Sequence, residues 1–259
     1  MKSIFLNNSF IFIPIIVHYL YPHLMYRRQA KKTVLITGAG EGFGKYLAHA
    51  FAHDGFNVVA NAREKNLLPV LEKELSRING VRSFMVEADI RNTSGIKKLK
   101  DAFLTEKVDV LINNAGINPE LSTNSMVAEL EDVENIFLTN TSAAIALCIN
   151  AFEYFRTKGG GTIININSMA GLVGSNHEPL YAASKFGLRG FSESVKGEWI
   201  KHGVRMIDVH SGAIGTGMSA KRADLKSLID PKELAEFIVG LCQTDSFFVR
   251  EFNVQRTRK

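Results

Sequence analysis

Two cysteines, Cys148 and Cys242, are too few and too far apart for a disulfide framework, and neither belongs to a CxxC pair or a His-rich cluster. Both lie in apolar, helical-looking runs where a free thiol packs as a small hydrophobe, so no metal centre is expected. No low-complexity tract or solenoid-length repeat is present, which excludes fibrous and repeat architectures. Acid is missing from the start of the chain: none precedes Glu41, while Lys2, Arg27, Arg28, Lys31 and Lys32 carry the whole net charge of +5. Removing those five from the 31 Lys and Arg leaves 26, which balance the 26 Asp and Glu. The chain therefore lacks the broad basic face that phosphate backbones require, and no nucleic-acid partner is expected. What is present, 46% hydrophobic and 22% charged residues, suits a globular protein. A chain of 259 residues in an α/β pattern commonly forms one domain.

Residues 1–32 read as an apolar segment with a basic flank. The stretch from Phe10 to Tyr26 is broken by Pro14, His18, Pro22 and His23, and seventeen residues is the lower limit for a bilayer span. A membrane-surface contact through residues 4–32 is expected instead, with Tyr and Arg at the interface and the downstream domain on the cytoplasmic side. The competing readings start the protein at Met25, leaving residues 1–24 without a role, or make the stretch a soluble packing segment. Recovery of the full chain only in the soluble fraction of lysed cells would remove the membrane reading.

Beyond Thr33, short β-branched runs alternate with longer amphipathic stretches, the pattern of repeated βα units. Strands are expected at 33–37, 56–61, 82–88, 108–113, 161–167, 204–210 and 247–254. Helices are expected at 44–54, 65–78, 94–106, 129–157, 180–202 and 231–242, the last opened by "DPKE" with Asp230 as cap. Right-handed crossovers then give a doubly wound, parallel, seven-stranded α/β sheet, Rossmann-like and a single domain over 33–259. Its ligand site should lie at the C-terminal ends of the strands.

The loop after the first strand, "TGAGEGFG", spaces Gly38, Gly42 and Gly44 as G-x3-G-x-G. Glycines let the backbone turn tightly and approach a pyrophosphate at the free N–H groups and positive end of a helix. The same loop also serves as a plain strand-to-helix turn, and its spacing differs from G-x-G-x-x-G. "YAASK" sets Tyr181 and Lys185 one helical turn apart, on a shared face.

Four further features occur in order: Asp89 after the third strand, "NNAG" at 113–116, Asn140 within a long helix, and Ser168 thirteen residues before Tyr181. With them, the chain from about Thr33 to its C-terminus resembles the short-chain dehydrogenase/reductase family. The resemblance implies a dinucleotide whose phosphates meet Gly38, Glu41, Gly42, Phe43 and Gly44. It gives the adenosine end to Arg63, Asp89 and Ile90, with the Asp89 carboxylate bonded to the adenine edge. Asn114, Ala115 and Gly116 form the central turn, and Ile214 and Thr216 contact the carboxamide. Ala62 replaces the acid that NAD-selecting members place at the ribose, and Arg63 follows it, so NADP(H) is preferred and NAD(H) is the alternative. Three positions depart from the family's habit: Glu41 where NADP-users carry a basic or small residue, Asn167 in place of Ser, and Ser211 in place of Pro.

The catalytic group implied by the resemblance is Asn140, Ser168, Tyr181 and Lys185. A phenol ordinarily ionises near pH 10, and an adjacent ammonium favours the phenolate. Tyr181 would then exchange a proton while hydride passes between nicotinamide and a carbonyl or carbinol carbon. Ser168 would hold the substrate oxygen, Asn140 a water of the proton relay, and Lys185 the ribose hydroxyls. The expected substrate is a small-molecule alcohol or ketone, lipophilic if residues 4–32 contact membranes, as with microsomal retinol and hydroxysteroid dehydrogenases. A soluble carbonyl or 3-oxoacyl-carrier-protein reductase is the alternative, and a catalytically silent NADP-binding sensor or scaffold is the alternative of another class. His177 reads as a solvated loop residue. A homodimer or homotetramer is expected through the long helices, with apolar positions such as Phe152, Phe155, Phe186 and Phe191 divided between that surface and ordinary core.

Overall fold

Side chains alternate along a strand, so a run such as Val34-Leu35-Ile36 must bury both faces of the sheet it enters. In the computed structural model this is what happens: Val34 and Ile36 join one apolar layer and Leu35 the other. The structure describes residues 31–118, 128–219, 228–244 and 246–256. The apolar segment expected at 1–32 falls outside these residues except for Lys31 and Lys32.

In chain order the elements are β1 (Thr33–Ile36), α1 (Gly42–His53), β2 (Asn57–Ala62), α2 (Leu68–Leu75), β3 (Ser83–Glu87), α3 (Thr93–Thr105) and β4 (Val110–Asn113). There follow α4 (Leu130–Phe137), a π turn (Leu138–Ser142), α5 (Ala143–Lys158), β5 (Gly161–Ser168), α6 (Pro179–Trp199), β6 (Val204–Ser211), α7 (Pro231–Leu241) and β7 (Glu251–Val254). The seven strands form one parallel sheet in the order β3-β2-β1-β4-β5-β6-β7. Strand order reverses at β1 and β4, and a crevice opens there beyond the strand ends.

One apolar layer packs Phe51, Leu71 and Ile238 against the sheet, and the other packs Leu99, Leu147 and Phe155. Asp230 caps α7 as expected, accepting from the main-chain N–H groups of Lys232 at 2.8 Å and Glu233 at 3.3 Å. Both cysteines are free and buried, and burial pushes the Cys242 thiol up to about 12 and raises that of Cys148 as well.

A polar chain crosses the second layer. Asn165 Oδ1 accepts from Asn113 Nδ2 at 2.9 Å, and Asn165 Nδ2 donates to Asp208 Oδ1 at 3.1 Å. Ser192 Oγ donates to the same oxygen at 3.1 Å, and the Lys196 ammonium lies 2.7 Å from Asp208 Oδ2. Both members of that ion pair are buried.

The structure corrects three local expectations and divides the phenylalanines between core and surface. The helix expected over 65–78 is a 3-10 turn at Lys65–Leu67 followed by the shorter α2, whose first turn accommodates Pro69. The last strand starts at Glu251 rather than 247, because the ladder with β6 begins at Asp208; Val249 is apolar because it packs on the core. The helix expected over 129–157 is interrupted by the π turn, which contains Asn140. Of the four phenylalanines, Phe155 is fully buried, while Phe152 and Phe191 pack on Trp199. Phe186 remains exposed.

Candidate active site

Thr37, directly after β1, ties the two sides of the crevice together. Its Oγ1 accepts from the main-chain N–H groups of Asn114 and Ala115, both at 3.0 Å, and Asn114 Nδ2 donates to Thr37 O at 2.9 Å. "NNAG" is thus a clamp between β1 and β4 as well as a wall. The glycine loop then enters α1. Gly42 has φ +53°, in the left-handed region that favours glycine, and a side chain there would meet no protein atom within 4 Å. Gly44 is required for the opposite reason, since a Cβ would fall 2.1 Å from Gly38 O. A loop this closely packed, opening onto a twelve-residue helix start, fits a dinucleotide pyrophosphate.

At the end of β2, Asn61 is buried and its Nδ2 donates to Ala88 O at 2.9 Å and Val86 O at 3.1 Å, which fixes the strand end beside β3. Ala62 is buried, and Arg63 is exposed with Glu64 3.2 Å away as its ion-pair partner. After β3, the Asp89 carboxylate faces the cleft and is gripped by Arg91. Hydrogen bonding from the Arg91 side chain holds the Asp89 carboxyl below its usual range against the opposing effect of burial, and Asp89 raises the guanidinium in return.

The helix α6 begins with Pro179 in its first turn and carries Tyr181 and Lys185 towards the crevice. Lys185 is only 4% exposed, and its ammonium donates to Ile166 O at 2.9 Å. Burial alone brings this amine down to about 8. The ammonium lies 5.6 Å from the centroid of the Tyr181 ring. Ser168 ends β5; its Oγ accepts from Ala170 N at 3.1 Å, and its own N–H donates to Asn167 Oδ1 at 2.9 Å. Among the described residues its hydroxyl proton has no acceptor, so it is available to a substrate oxygen.

Asn140 is buried behind this wall, and its side chain braces the segments on either side. Oδ1 accepts from Ile117 N at 2.8 Å, while Nδ2 donates to Ile117 O at 2.8 Å and to Ser184 Oγ at 3.0 Å. Both amide hydrogens are therefore spent on protein atoms. Ser184 Oγ donates in turn to Tyr181 O at 2.7 Å, so the asparagine braces the turn of α6 that carries the phenol. A π turn is a common means of bringing such a side chain out of helical register at a functional site.

These groups surround one cleft of about 1120 Å³. Gly38, Glu41, Gly42, Phe43, Arg63, Asp89 and Ile90 line one end; Asn114, Ala115, Gly116, Ser168, Tyr181, Lys185, Ile214 and Thr216 line the remainder. Gly44 and Asn140 stand behind the lining as supports. Sequence reasoning passed over Thr37, Arg91, Ile166 and Ser184. An Arg two places after a strand-end acid, and a Ser inside "YAASK", were the available signals for two of them. His177 is exposed and outside the lining, and among the described residues no group of three or more His, Cys, Asp or Glu is placed to hold a metal.

A family profile described as short chain dehydrogenase matches residues 32–226. The chain belongs to that family. This short-chain dehydrogenase is 33% identical over 215 residues to the ketoacyl reductase HetN of Nostoc sp., covering 80% of this chain and 74% of the relative. It is 31% identical over 191 residues to a 3-ketodihydrosphingosine reductase of Bacteroides thetaiotaomicron, covering 73% and 66%. Among solved structures, a metagenomic short-chain oxidoreductase in complex with NADP superposes with a TM-score of 0.75 at 27% identity, over 88% of this chain and 98% of that one. The short-chain dehydrogenase is thus an oxidoreductase of a family that acts on carbonyl and alcohol groups. Replacing Gly44 by Ala in it is expected to weaken dinucleotide binding by at least about tenfold, because a backbone oxygen 2.1 Å away cannot yield without moving the phosphate loop. Titration of cofactor fluorescence checks this, and unchanged affinity would refute a phosphate role for the loop.

Proposed function

We propose that the chain interconverts a lipophilic ketone or aldehyde and its alcohol with NADP(H), Tyr181 giving and taking the proton. The observation that carries this reading is the Tyr181 and Lys185 pair, with the ammonium 5.6 Å from the phenol ring and anchored on Ile166 O, in a cleft wall shared with Ser168. When bound, the nicotinamide supplies or accepts the hydride. The rest falls to the chain. The Ser168 hydroxyl orients the substrate oxygen, and the Tyr181 hydroxyl donates its proton to that oxygen in reduction and recovers it in oxidation. Lys185 has two N–H bonds left after Ile166 O, which suit ribose hydroxyls, and its charge favours the phenolate. Asn140, through Ile117 and Ser184, holds the two segments on which these groups stand.

The adenosine end supports NADP(H). Ala62 presents no acid to the ribose, and the Arg63 pair with Glu64 is more than half exposed on both sides, a contact worth little in water. The guanidinium is therefore available to a 2′-phosphate, and the NADP in the metagenomic relative supports the same choice. For the substrate, Ile117, Met169, Val173 and Met218 give the cleft an apolar side, and two thioethers adapt to varied shapes. The 3-ketodihydrosphingosine reductase among the relatives supports a lipid ketone. Rates with a long-chain 3-keto lipid, retinal, a ketosteroid, a 3-oxoacyl thioester and a small hydrophilic ketone, each with NADPH and NADH, test both parts. NADPH is expected to exceed NADH in kcat/KM by about tenfold or more. A clear preference for NADH overturns the cofactor assignment, and turnover of the hydrophilic ketone alone overturns the substrate class.

A further inference from the structure

Among the described residues, four cations line the cleft, and three of them have a partner or a role: Arg63 stands beside Glu64 at the ribose end, Arg91 pairs with Asp89, and Lys185 is anchored on Ile166 O. The fourth, Arg256, is exposed and makes neither an ion pair nor a side-chain hydrogen bond among the described residues. The sheet fixes its place. Ser168, Ser211 and Val254 lie abreast on the adjacent strands β5, β6 and β7, and Gly212 N donates to Val254 O at 2.8 Å, which holds the end of β7 against the loop that follows β6. Adjacent strands are about 4.8 Å apart, so Val254 lies roughly 10 Å to the side of Ser168. The glycine loop follows β1, four strands from β7 or about 19 Å away, too far for one side chain to bridge. Arg256 therefore stands at the substrate end of the cleft and not at the pyrophosphate. Its stem runs close to the wall, since a Cβ on Gly212 would lie 3.9 Å from Arg256 Cγ. Glu178, just before α6, also lines the cleft but already has a partner of its own.

We propose that the substrate carries an anionic oxyacid group, a carboxylate or a phosphate, which Arg256 clamps while the carbonyl meets Ser168 and Tyr181. This assignment rests on the oxidoreductase reading above and narrows its substrate to an amphipathic one, with an apolar body along Ile117, Met169, Val173 and Met218 and a charge at the far end. A guanidinium offers two parallel N–H bonds to either oxyacid, a fork that an ammonium lacks. Because Arg256 is exposed, the attraction is screened by salt.

The experiment measures kcat and KM with NADPH for long-chain oxo acids in which the ketone stands progressively farther from the carboxylate, for their methyl esters and for the matching oxoalkyl phosphates. It uses the wild type, Arg256→Gln and Arg256→Lys. At the best-fitting separation the wild type is expected to favour an anionic substrate over the ester by about tenfold in kcat/KM, with the difference lying in KM and shrinking as salt is raised. Arg256→Gln should bring the ratio down to about one, and Arg256→Lys should keep part of it. Preference for the phosphate or for the carboxylate supports the proposal equally and says which oxyacid is read. Esters reduced as efficiently as both anions by the wild type, or an anion preference that Arg256→Gln leaves intact, overturns the proposal while the function on which it rests stands. No reduction of any acid, phosphate or ester overturns both.

Discussion

Tyr181→Phe is expected to lower kcat for carbonyl reduction by about 10²- to 10⁴-fold while Kd for NADPH changes little. The substitution removes one oxygen and keeps the ring, so the aromatic face 5.6 Å from the Lys185 ammonium survives. What disappears is the proton that must reach the substrate oxygen as the carbon is reduced. Ser168 does not take over, because it lacks a neighbouring cation among its contacts; its Oγ is bonded to Ala170 N. The loss should therefore fall on kcat and not on cofactor binding, a split that single-turnover kinetics with fluorescence titration resolves. Turnover close to wild type would falsify the assignment of Tyr181 as proton donor.

Lys185→Met is expected to cost activity and gain stability. The wild-type amine is held at about 8 against an ordinary 10.5, and burial is the cause. A depression of this size corresponds to roughly 3 kcal/mol of native-state penalty at pH 7, with loss of the hydrogen bond to Ile166 O setting about 1 kcal/mol against its removal. Methionine fills similar volume without the charge, so the cofactor-free variant should be more stable than wild type by about 1 to 3 kcal/mol at pH 7. The pH dependence has a definite direction. Between about 8 and 10.5 the unfolded chain binds more protons than the native one, so the Lys185 contribution makes wild-type stability rise with pH across that window. Below it the penalty is present in full, and the variant should lack the rise. Urea unfolding at pH 7 and pH 10 measures both effects, and a variant no more stable than wild type at pH 7 would show that the ammonium is better compensated than its burial implies.

Much of the fold is legible in the sequence because the signals are local. Successive apolar residues in "TVLIT" and "GTIININ" mark strands covered on both faces, and Asp230-Pro231 marks a helix start. The glycine loop, Asp89, "NNAG", Ser168 and the Tyr181 and Lys185 pair are legible as a set, and the structure gathers them at the strand ends around one cleft. What escapes is tertiary. Nothing near Asn140 in the chain announces that Ile117 and Ser184 will take up its amide hydrogens, and the π turn that brings this about has no helical period to reveal it. The ion pair of Asp89 depends on how the Arg91 side chain folds back, which composition does not encode. Phe152, Phe155 and Phe191 sit on helices apolar on more than one side, so periodicity alone does not divide core from surface.

The polar chain through Asn165, Asp208 and Lys196 bears on something other than energy. Turning an α-helix by one residue rotates every side chain by about 100°, and a smooth apolar seam resists such slippage only weakly. An ammonium that must meet one carboxylate admits a single azimuth for the C-terminal half of α6, and through the rigid rod, a single azimuth for the phenol about four turns earlier. The deep ion pair thereby works as an index pin, keying the reactive end of the rod to the sheet.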